Sequence, residues 1–361
     1  MPAKRHLLAE WRKTMGFTQE GLAEAIGVDR STVVRWERGE TEPQPWHRPR
    51  LATALAISTD TLADLLGSPR AQVVPPGATV GDAVRGFRRM DSELGGARLY
   101  GAVTDYLRDT VGPRMFGSAA GPEGRATFAA ACTLTEMAGW MAHDQGQDPA
   151  AQRHFRMAYA MARAAGDSQL LAHVLGSLGY LALHDGDARA ALRFARMGGD
   201  SLPEQDRAPG VAARLSALRA RACAHLGDAD QCAAMIGAAE RLLERRAGVP
   251  APGWTNDFDE ASLAVDAARC EHRLGRLNAA RSWAERVLVL RAPQRVRSRA
   301  FALPIRASAF LAEGRVDEAR SSRRDLLDST RTLGSAPVLA EIRALDRRFR
   351  GRSGERDGPS A

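Results

Sequence analysis

Apolar residues near the start of the chain recur at helical spacing between short polar breaks. The pattern predicts helices over residues 5–15, 18–26 and 30–38. Thr18 and Asp29 are typical N-cap residues for the second and third of these helices, and Gly27 is a typical left-handed residue between them. Leucine and isoleucine spacing between residues 51 and 66 predicts two short closing helices. The pattern therefore predicts a five-helix domain over residues 1–66.

The rest of the chain shows helical periodicity and a repeat. Residues 67–81, with their Val-Val-Pro-Pro-Gly segment, predict a linker. Five short turns follow, each with a glycine and, five positions later, a small residue that would let two helices approach closely. They predict tetratricopeptide-like helical hairpins stacked into an α-solenoid. The glycines are Gly146, Gly186, Gly227, Gly275 and Gly314, and the small residues are Ala151, Ala191, Cys232, Ala280 and Ala319.

The predicted fold class is therefore all-α, with two domains joined by the linker. Within the second domain, over residues 82–349, we expect lead-in helices over 82–112 and repeats over about 125–333. The polar residues 350–361 predict a disordered tail.

The second and third predicted helices have the spacing of a helix-turn-helix whose first position is Gln19. Seven positions have the residue types that this motif requires. Four of them face the core, Ala23 lies where the helices cross, Gly27 makes the turn and Val28 packs against the turn from inside. The four core positions are Leu22, Ile26, Val33 and Trp36. With Arg12 ahead and Glu37-Arg-Gly behind, the stretch resembles the Cro/C1-type, or xenobiotic-response-element, repressor family over about residues 5–66. Gly21, inside the second helix, departs from the pattern at a cost of about 1 kcal/mol relative to alanine.

The resemblance implies a sequence-specific DNA-binding transcriptional regulator with its third helix in the major groove. By position, Arg30, Ser31 and Arg35 would contact base edges, and Val34 a thymine methyl group. Thr18, Gln19, the first amides of the second helix and Arg38 would contact phosphates. Arg12 and Glu37 match a family pair that joins the first and third helices. The implied partner is a pseudo-palindromic operator in double-stranded DNA, bound by a homodimer assembled chiefly through the repeat domain.

Charge does not locate this DNA surface. The net charge is +8, yet residues 1–66 contain nine basic and nine acidic residues. The excess lies further along, for example in the arginine-rich stretch 281–306, which predicts a solvated face or additional phosphate contacts. The predominance of arginine over lysine is typical of a GC-rich genome, and the domain order resembles that of actinobacterial regulators.

Two functions are open for the repeat domain. It could sense a peptide or small-molecule effector, as in the peptide-pheromone regulators that the architecture resembles, or it could serve only dimerisation and protein docking. In those regulators asparagines hold the peptide backbone, whereas this chain has only Asn256 and Asn278. Polar candidates on the predicted helices are His143, His173, Tyr180, His184, His225 and His272. A further alternative is an interaction scaffold in which the amino-terminal helices also serve only docking.

Other classes lack their motifs. The chain has no phosphate loop, nucleophile elbow or zinc-protease motif, so we expect no enzyme activity and no cofactor. The four cysteines lack metal-ligand spacing and predict buried core residues, so no metal site is expected. There is no membrane-length apolar run and no signal peptide, which predicts a cytoplasmic, nucleoid-associated protein.

Overall fold

The computed structural model describes residues 6–38, 40–44, 46–59, 62, 65–66, 79–94, 99–117, 122–203, 208–245, 258–293, 295–330 and 335–354. All regular secondary structure in these ranges is helical, which confirms the all-α prediction. Contacts divide the chain into two units, Met1–Phe87 and Arg88–Ala361. Each unit is described by itself.

Four short helices surround one core in the described part of the amino-terminal unit. They are α1 (His6–Thr14), α2 (Gln19–Ile26), α3 (Arg30–Glu37) and α4 (Arg48–Ala54). Thr59, Leu62 and Leu65 are helical at the place of the predicted fifth helix. The core contains the apolar positions that the sequence pattern pointed inward; the largest are Leu8, Leu22, Ile26, Val33, Trp36, Leu51, Leu55 and Leu62.

A further helix, α5 (Val80–Leu94), contains the boundary between the two units. This helix begins inside the predicted linker, and the last two predicted linker residues are therefore helical. The helix can begin there because the side chains of Thr79 and Asp82 cap this end. Residues 67–78 of that linker lie outside the described residues. The predicted division at residue 66 stays a prediction.

The second unit continues with α6 (Tyr100–Tyr106), a π-helical turn (Leu107–Val111) and α7 (Gly112–Gly117). Five antiparallel hairpins and one last helix follow, and each hairpin packs on the next. The hairpins are α8 (Pro122–Asp144) with α9 (Asp148–Ala165), α10 (Ser168–His184) with α11 (Ala188–Asp200), α12 (Pro209–Leu226) with α13 (Ala229–Glu244), α14 (Glu260–Arg273) with α15 (Leu277–Leu290), and α16 (Val296–Ala312) with α17 (Val316–Thr330); the last helix is α18 (Ala336–Gly354).

The hairpin turns have the geometry that the repeat pattern predicts. All five turn glycines are left-handed, with φ between 74° at Gly146 and 84° at Gly186, a region in which a side chain is strained. The small residue five positions after each glycine is completely buried in every hairpin. A larger side chain there would separate the paired helices.

The predicted disordered tail is partly wrong. Helix α18 continues to Gly354, past the predicted start of the tail at residue 350. Its apolar stripe of Val338, Ile342, Leu345 and Phe349 packs on α16 and α17, and this packing sustains the helix to its end. Residues 355–361 lie outside the described residues.

Candidate DNA-recognition site

Helices α2 and α3 are held at a fixed angle by a tight turn. Thr18 caps α2 by accepting a hydrogen bond of 2.9 Å from the Gly21 amide, and Gly27 ends it with a φ of 75°. Ala23 is buried where the helices cross, and Val28 packs on the same core. Asp29 occupies the N-cap position of α3, but its side chain makes no cap hydrogen bond, contrary to the sequence prediction. A backbone bond from the Thr32 amide to the Asp29 carbonyl closes this first turn instead.

A buried polar group joins α1, α2 and α3. Arg12 Nε lies 2.6 Å from Glu37 Oε1, and Arg12 Nη1 donates to the carbonyl of Phe17 at 2.7 Å. Gln19 Nε2 donates to the other Glu37 oxygen at 2.7 Å. Both charged side chains are more than nine-tenths buried. The structure therefore places Arg12 and Glu37 together, and it adds Gln19, which the sequence assigned to phosphate contact alone.

The opposite side of α3 faces away from this core. Arg30, Ser31 and Arg35 are exposed there, and Val34 is half-buried. Arg30 makes an exposed ion pair of 2.9 Å with Glu20, and Arg35 lies 3.3 Å from both the Ser31 carbonyl and the Thr32 hydroxyl. Exposed pairs of this kind contribute about 0–1 kcal/mol. DNA could therefore replace them at little cost.

The residues assigned to phosphates lie near the two ends of this face. Thr18 is exposed, and its hydroxyl, which accepts from the Gly21 amide, still has its own proton to donate. That contact occupies one of the α2 amides that the sequence offered to phosphate. Arg38 is exposed and lies 3.8 Å from Glu40.

A second site, which sequence analysis did not locate, lies within the repeat unit. It is a cavity of about 670 Å³ enclosed chiefly by the first helices of the hairpins and by α18. All six polar candidates named above line it, and so do several arginines that the sequence did not single out. Arg214 and Arg221 are seven residues apart on α12, and this spacing places them on one face of the helix. That spacing could have indicated from the sequence that both arginines face the same site.

Ionic groups inside the cavity are closely coupled. Tyr180 Oη donates to Asp266 at 2.5 Å, and Arg221 lies 3.3 Å from the same carboxylate. Burial and the Asp266 charge raise the pKa of Tyr180 well above its usual value. Burial and the neighbouring charge of Arg221 lower the pKa of Arg269 to about 10. Contacts between polar and charged side chains therefore join α10, α12 and α14 on this side of the cavity.

The family match lies in the amino-terminal unit, and the match to a curated relative covers a segment of similar length. Residues 8–62 match the family described as Helix-turn-helix. An "Uncharacterized HTH-type transcriptional regulator" of Methanothermobacter thermautotrophicus is 45% identical over 51 residues, which are 14% of this chain and 74% of the relative.

One solved structure aligns with almost the whole chain. It is the "Crystal Structure of Bacillus thuringiensis PlcR in complex with the peptide PapR7 and DNA", with 13% identity, 95% of this chain and 99% of that chain covered, and a TM-score of 0.36.

These matches point to a transcriptional regulator rather than an enzyme. Within the described residues, no helix is both long and apolar enough to cross a membrane. The seven core positions of the motif, the exposed polar face of α3 and the family match all fall in the same segment. The chain therefore belongs to the helix-turn-helix transcriptional regulators of the Cro/C1 type.

Proposed function

We propose that the protein regulates transcription by binding double-stranded DNA with α3 in the major groove. The observation that carries this proposal is the exposed face of Arg30, Ser31 and Arg35, opposite a recognition-helix core made by Val33 and Trp36. Arginine can donate two parallel hydrogen bonds to guanine, so at least one guanine is expected in each half-site. Val34 would contact a thymine methyl group beside it.

The backbone contacts are assigned to Thr18, Gln19 and Arg38. The hydroxyl proton of Thr18 and the second amide proton of Gln19, which the bond to Glu37 leaves available, can both be donated to phosphate. These contacts set the register of α3, and the base contacts supply the specificity.

Selection of bound sequences from random DNA tests the assignment. The natural chain is expected to enrich one motif, and Arg30→Ala with Arg35→Ala is expected to lose it. Each arginine–guanine pair supplies about 1–3 kcal/mol of discrimination, or roughly 5- to 150-fold. Arg193→Ala removes an exposed charge from α11 and is the matched control. Enrichment of the same motif by the Arg30/Arg35 variant would refute the assignment.

The DNA-binding form is proposed to be a homodimer assembled through the repeat domain, on a pseudo-palindromic operator. Met157 on α9 and Met197 on α11 support this, because they occupy equivalent places in consecutive hairpins and are 52% and 47% exposed. Light scattering at micromolar concentration is expected to give twice the chain mass, and glutamate at both positions is expected to give a monomer. A monomeric natural chain, with and without DNA, would contradict the proposal.

The cavity supports the sensor function over a purely docking repeat domain. Its volume of about 670 Å³ is in the range of small-molecule sites. An effector with an acidic group, whether a peptide or a metabolite, could replace Asp266 and Glu341 as the partners of the half-buried Arg221 and Arg269. A screen by thermal shift on the whole chain tests this, with Arg269→Met as the variant. Effectors are expected to stabilise the natural chain and not the variant; no hit from a broad panel would favour the docking scaffold. The proposed cellular location is the cytoplasm, at the nucleoid.

A further inference from the structure

Three potential metal ligands from three successive helices meet at one edge of the repeat unit. His143 is in the last turn of α8, Asp148 is the first residue of α9 and His184 is the last residue of α10. Asp148 uses one oxygen for each histidine: Oδ1 lies 2.6 Å from His143 Nδ1, and Oδ2 lies 3.4 Å from His184 Nε2. One donor atom from each residue lies within 4.8 Å of the other two.

The hairpin turn is what brings the first two of these residues together. Gly146, with a φ of 74°, reverses the chain between them, so that the end of α8 and the start of α9 lie side by side. His184 ends the first helix of the next hairpin, and its ring lies edge-on to that of His143 with 4.5 Å between centroids. The cluster therefore depends on the stacking of two hairpins as well as on one turn.

The ligand spacing suits a small divalent ion. Bonds of about 2.0–2.1 Å from zinc to nitrogen or oxygen, in a tetrahedron, place neighbouring ligand atoms about 3.3 Å apart. His184 Nε2 lies 3.4 Å from Asp148 Oδ2, which is close to this value. His143 Nδ1 lies 2.6 Å from the other carboxylate oxygen, Oδ1, and a small rotation of either side chain would bring this spacing to about 3.3 Å.

The exposed fraction of the side chain rises from His143 through Asp148 to His184, as expected for a metal site that solvent can reach. The side chain of His143 is 11% exposed, that of Asp148 30% and that of His184 42%. Trp140 packs edge-on against the His143 ring, with 5.8 Å between centroids, and restricts its orientation. Both histidines line the cavity described above. An ion would therefore be held firmly on the inner side and remain open to water or another ligand on the outer side.

A simpler interpretation accounts for only part of this arrangement. A histidine at the end of a helix interacts favourably with the helix dipole, and one histidine–carboxylate pair across a turn needs no metal. His225 and His272 likewise lie in the last turns of their helices, and both line the same cavity. What distinguishes this cluster from His225 and His272 is that two imidazoles and one carboxylate bring their donor atoms within 4.8 Å of one another. Two imidazoles and one carboxylate form a donor set that first-row transition metals favour.

We propose that His143, Asp148 and His184 form a binding site for a first-row divalent metal ion, with Zn²⁺ as the ion that fits best. The ion would join α8, α9 and α10 at their ends. Sequence spacing did not indicate this site, because its third ligand lies in a different hairpin from the first two.

Metal titration of the untagged, chelator-treated full chain tests the proposal. Zn²⁺ is expected to bind at one ion per chain by calorimetry, and Co²⁺ is expected to give the visible absorption bands of a tetrahedral site. The cysteines are a possible competing site, and thiolate ligation would be recognised by an intense near-ultraviolet band, which is not expected here. Such a band, or no saturable binding of either ion, would overturn the proposal.

Two variants and one control make the test specific. His184→Ala and Asp148→Asn each change a proposed metal ligand. Both are expected to weaken Zn²⁺ binding at least about 10-fold, because even changes to residues that only hydrogen-bond to a ligand typically have effects of this size. Asp148→Asn keeps an oxygen that accepts from His143, so the ion-free chain should unfold near the natural temperature. His225→Ala removes a histidine at the equivalent helix end and is expected to bind Zn²⁺ normally. Equal Zn²⁺ affinity in all three variants would also overturn the proposal.

Discussion

Replacing Glu37 by alanine tests how the recognition helix is held in place. The substitution leaves the buried Arg12 guanidinium with only the Phe17 carbonyl among its present acceptors, and it also removes the acceptor of Gln19. Breaking a buried ion pair on one side costs about 3–5 kcal/mol. A unit of this size has a total stability of about 4–13 kcal/mol, from about 0.05–0.15 kcal/mol per residue. The variant is therefore expected to lose a large fraction of the stability of the amino-terminal unit.

Hydrogen exchange resolved by mass spectrometry provides the assay, because peptides from residues 6–38 report this unit separately from the repeats. Faster exchange in α1 and α3 is expected, with a corresponding loss of DNA affinity. Glu37→Gln retains an acceptor oxygen and should cost less, and exposed Glu24→Ala should change stability by less than about 0.5 kcal/mol. If Glu37→Ala exchanged like Glu24→Ala, the pair would not hold α3 and the reasoning would be refuted.

A double-mutant cycle separates the interaction energy between Arg12 and Glu37 from the cost of leaving one of them buried without its partner. If the cost of Glu37→Ala comes mainly from the unpaired guanidinium, then adding Arg12→Ala should recover part of the lost stability. Purely additive losses would show that the two side chains contribute independently, against the contact that the structure places between them at 2.6 Å.

Three further outcomes are expected from the repeat unit. Gly227→Ala places a side chain at a φ of 81° and should lower the free energy of unfolding by about 1–2 kcal/mol. Gly199→Ala, inside α11 with open space around it, should raise that free energy by about 0.5–1 kcal/mol. Urea unfolding compares the two variants, and equal effects would contradict the left-handed turn. Burial lowers the pKa values of His225 and His272 in the folded chain, as do nearby arginines. The unfolded chain therefore binds protons first as the pH falls, and stability should be full above about pH 6.5 and decline below it; glutamine at both positions should flatten this dependence, and an unchanged profile would count against it. Burial raises the pKa of the Cys132 thiol, so a thiolate-directed reagent should modify it only as the chain unfolds. Rapid labelling at Cys132 itself in the native chain, located by peptide mass mapping, would refute its burial.

The local features of the fold could be predicted because their causes are local. A left-handed turn needs glycine whatever surrounds it, and two crossing helices need a small residue at the crossing, so the five turns and the buried small residues followed from spacing alone. The helix-turn-helix followed for the same reason, since its seven core positions lie within residues 19–36. The end of α18 was predicted too early because residues 350–354, which are arginine, glycine and serine, are typical of a disordered segment unless the apolar stripe ahead of them is packed.

The tertiary structure decided which distant side chains meet. Tyr180 and Asp266 are 86 residues apart and His143 and His184 belong to different hairpins, yet each pair is in contact. These contacts depend on how hairpins of unequal length rotate against one another as they stack, and small differences in that rotation accumulate along the chain. Residue periodicity specifies which face of a helix is buried but not which residue of a remote helix it faces. The sequence by itself therefore determined the helices, their turns and the regulator family, whereas the cavity and the proposed metal site arose only from the packing of the repeats.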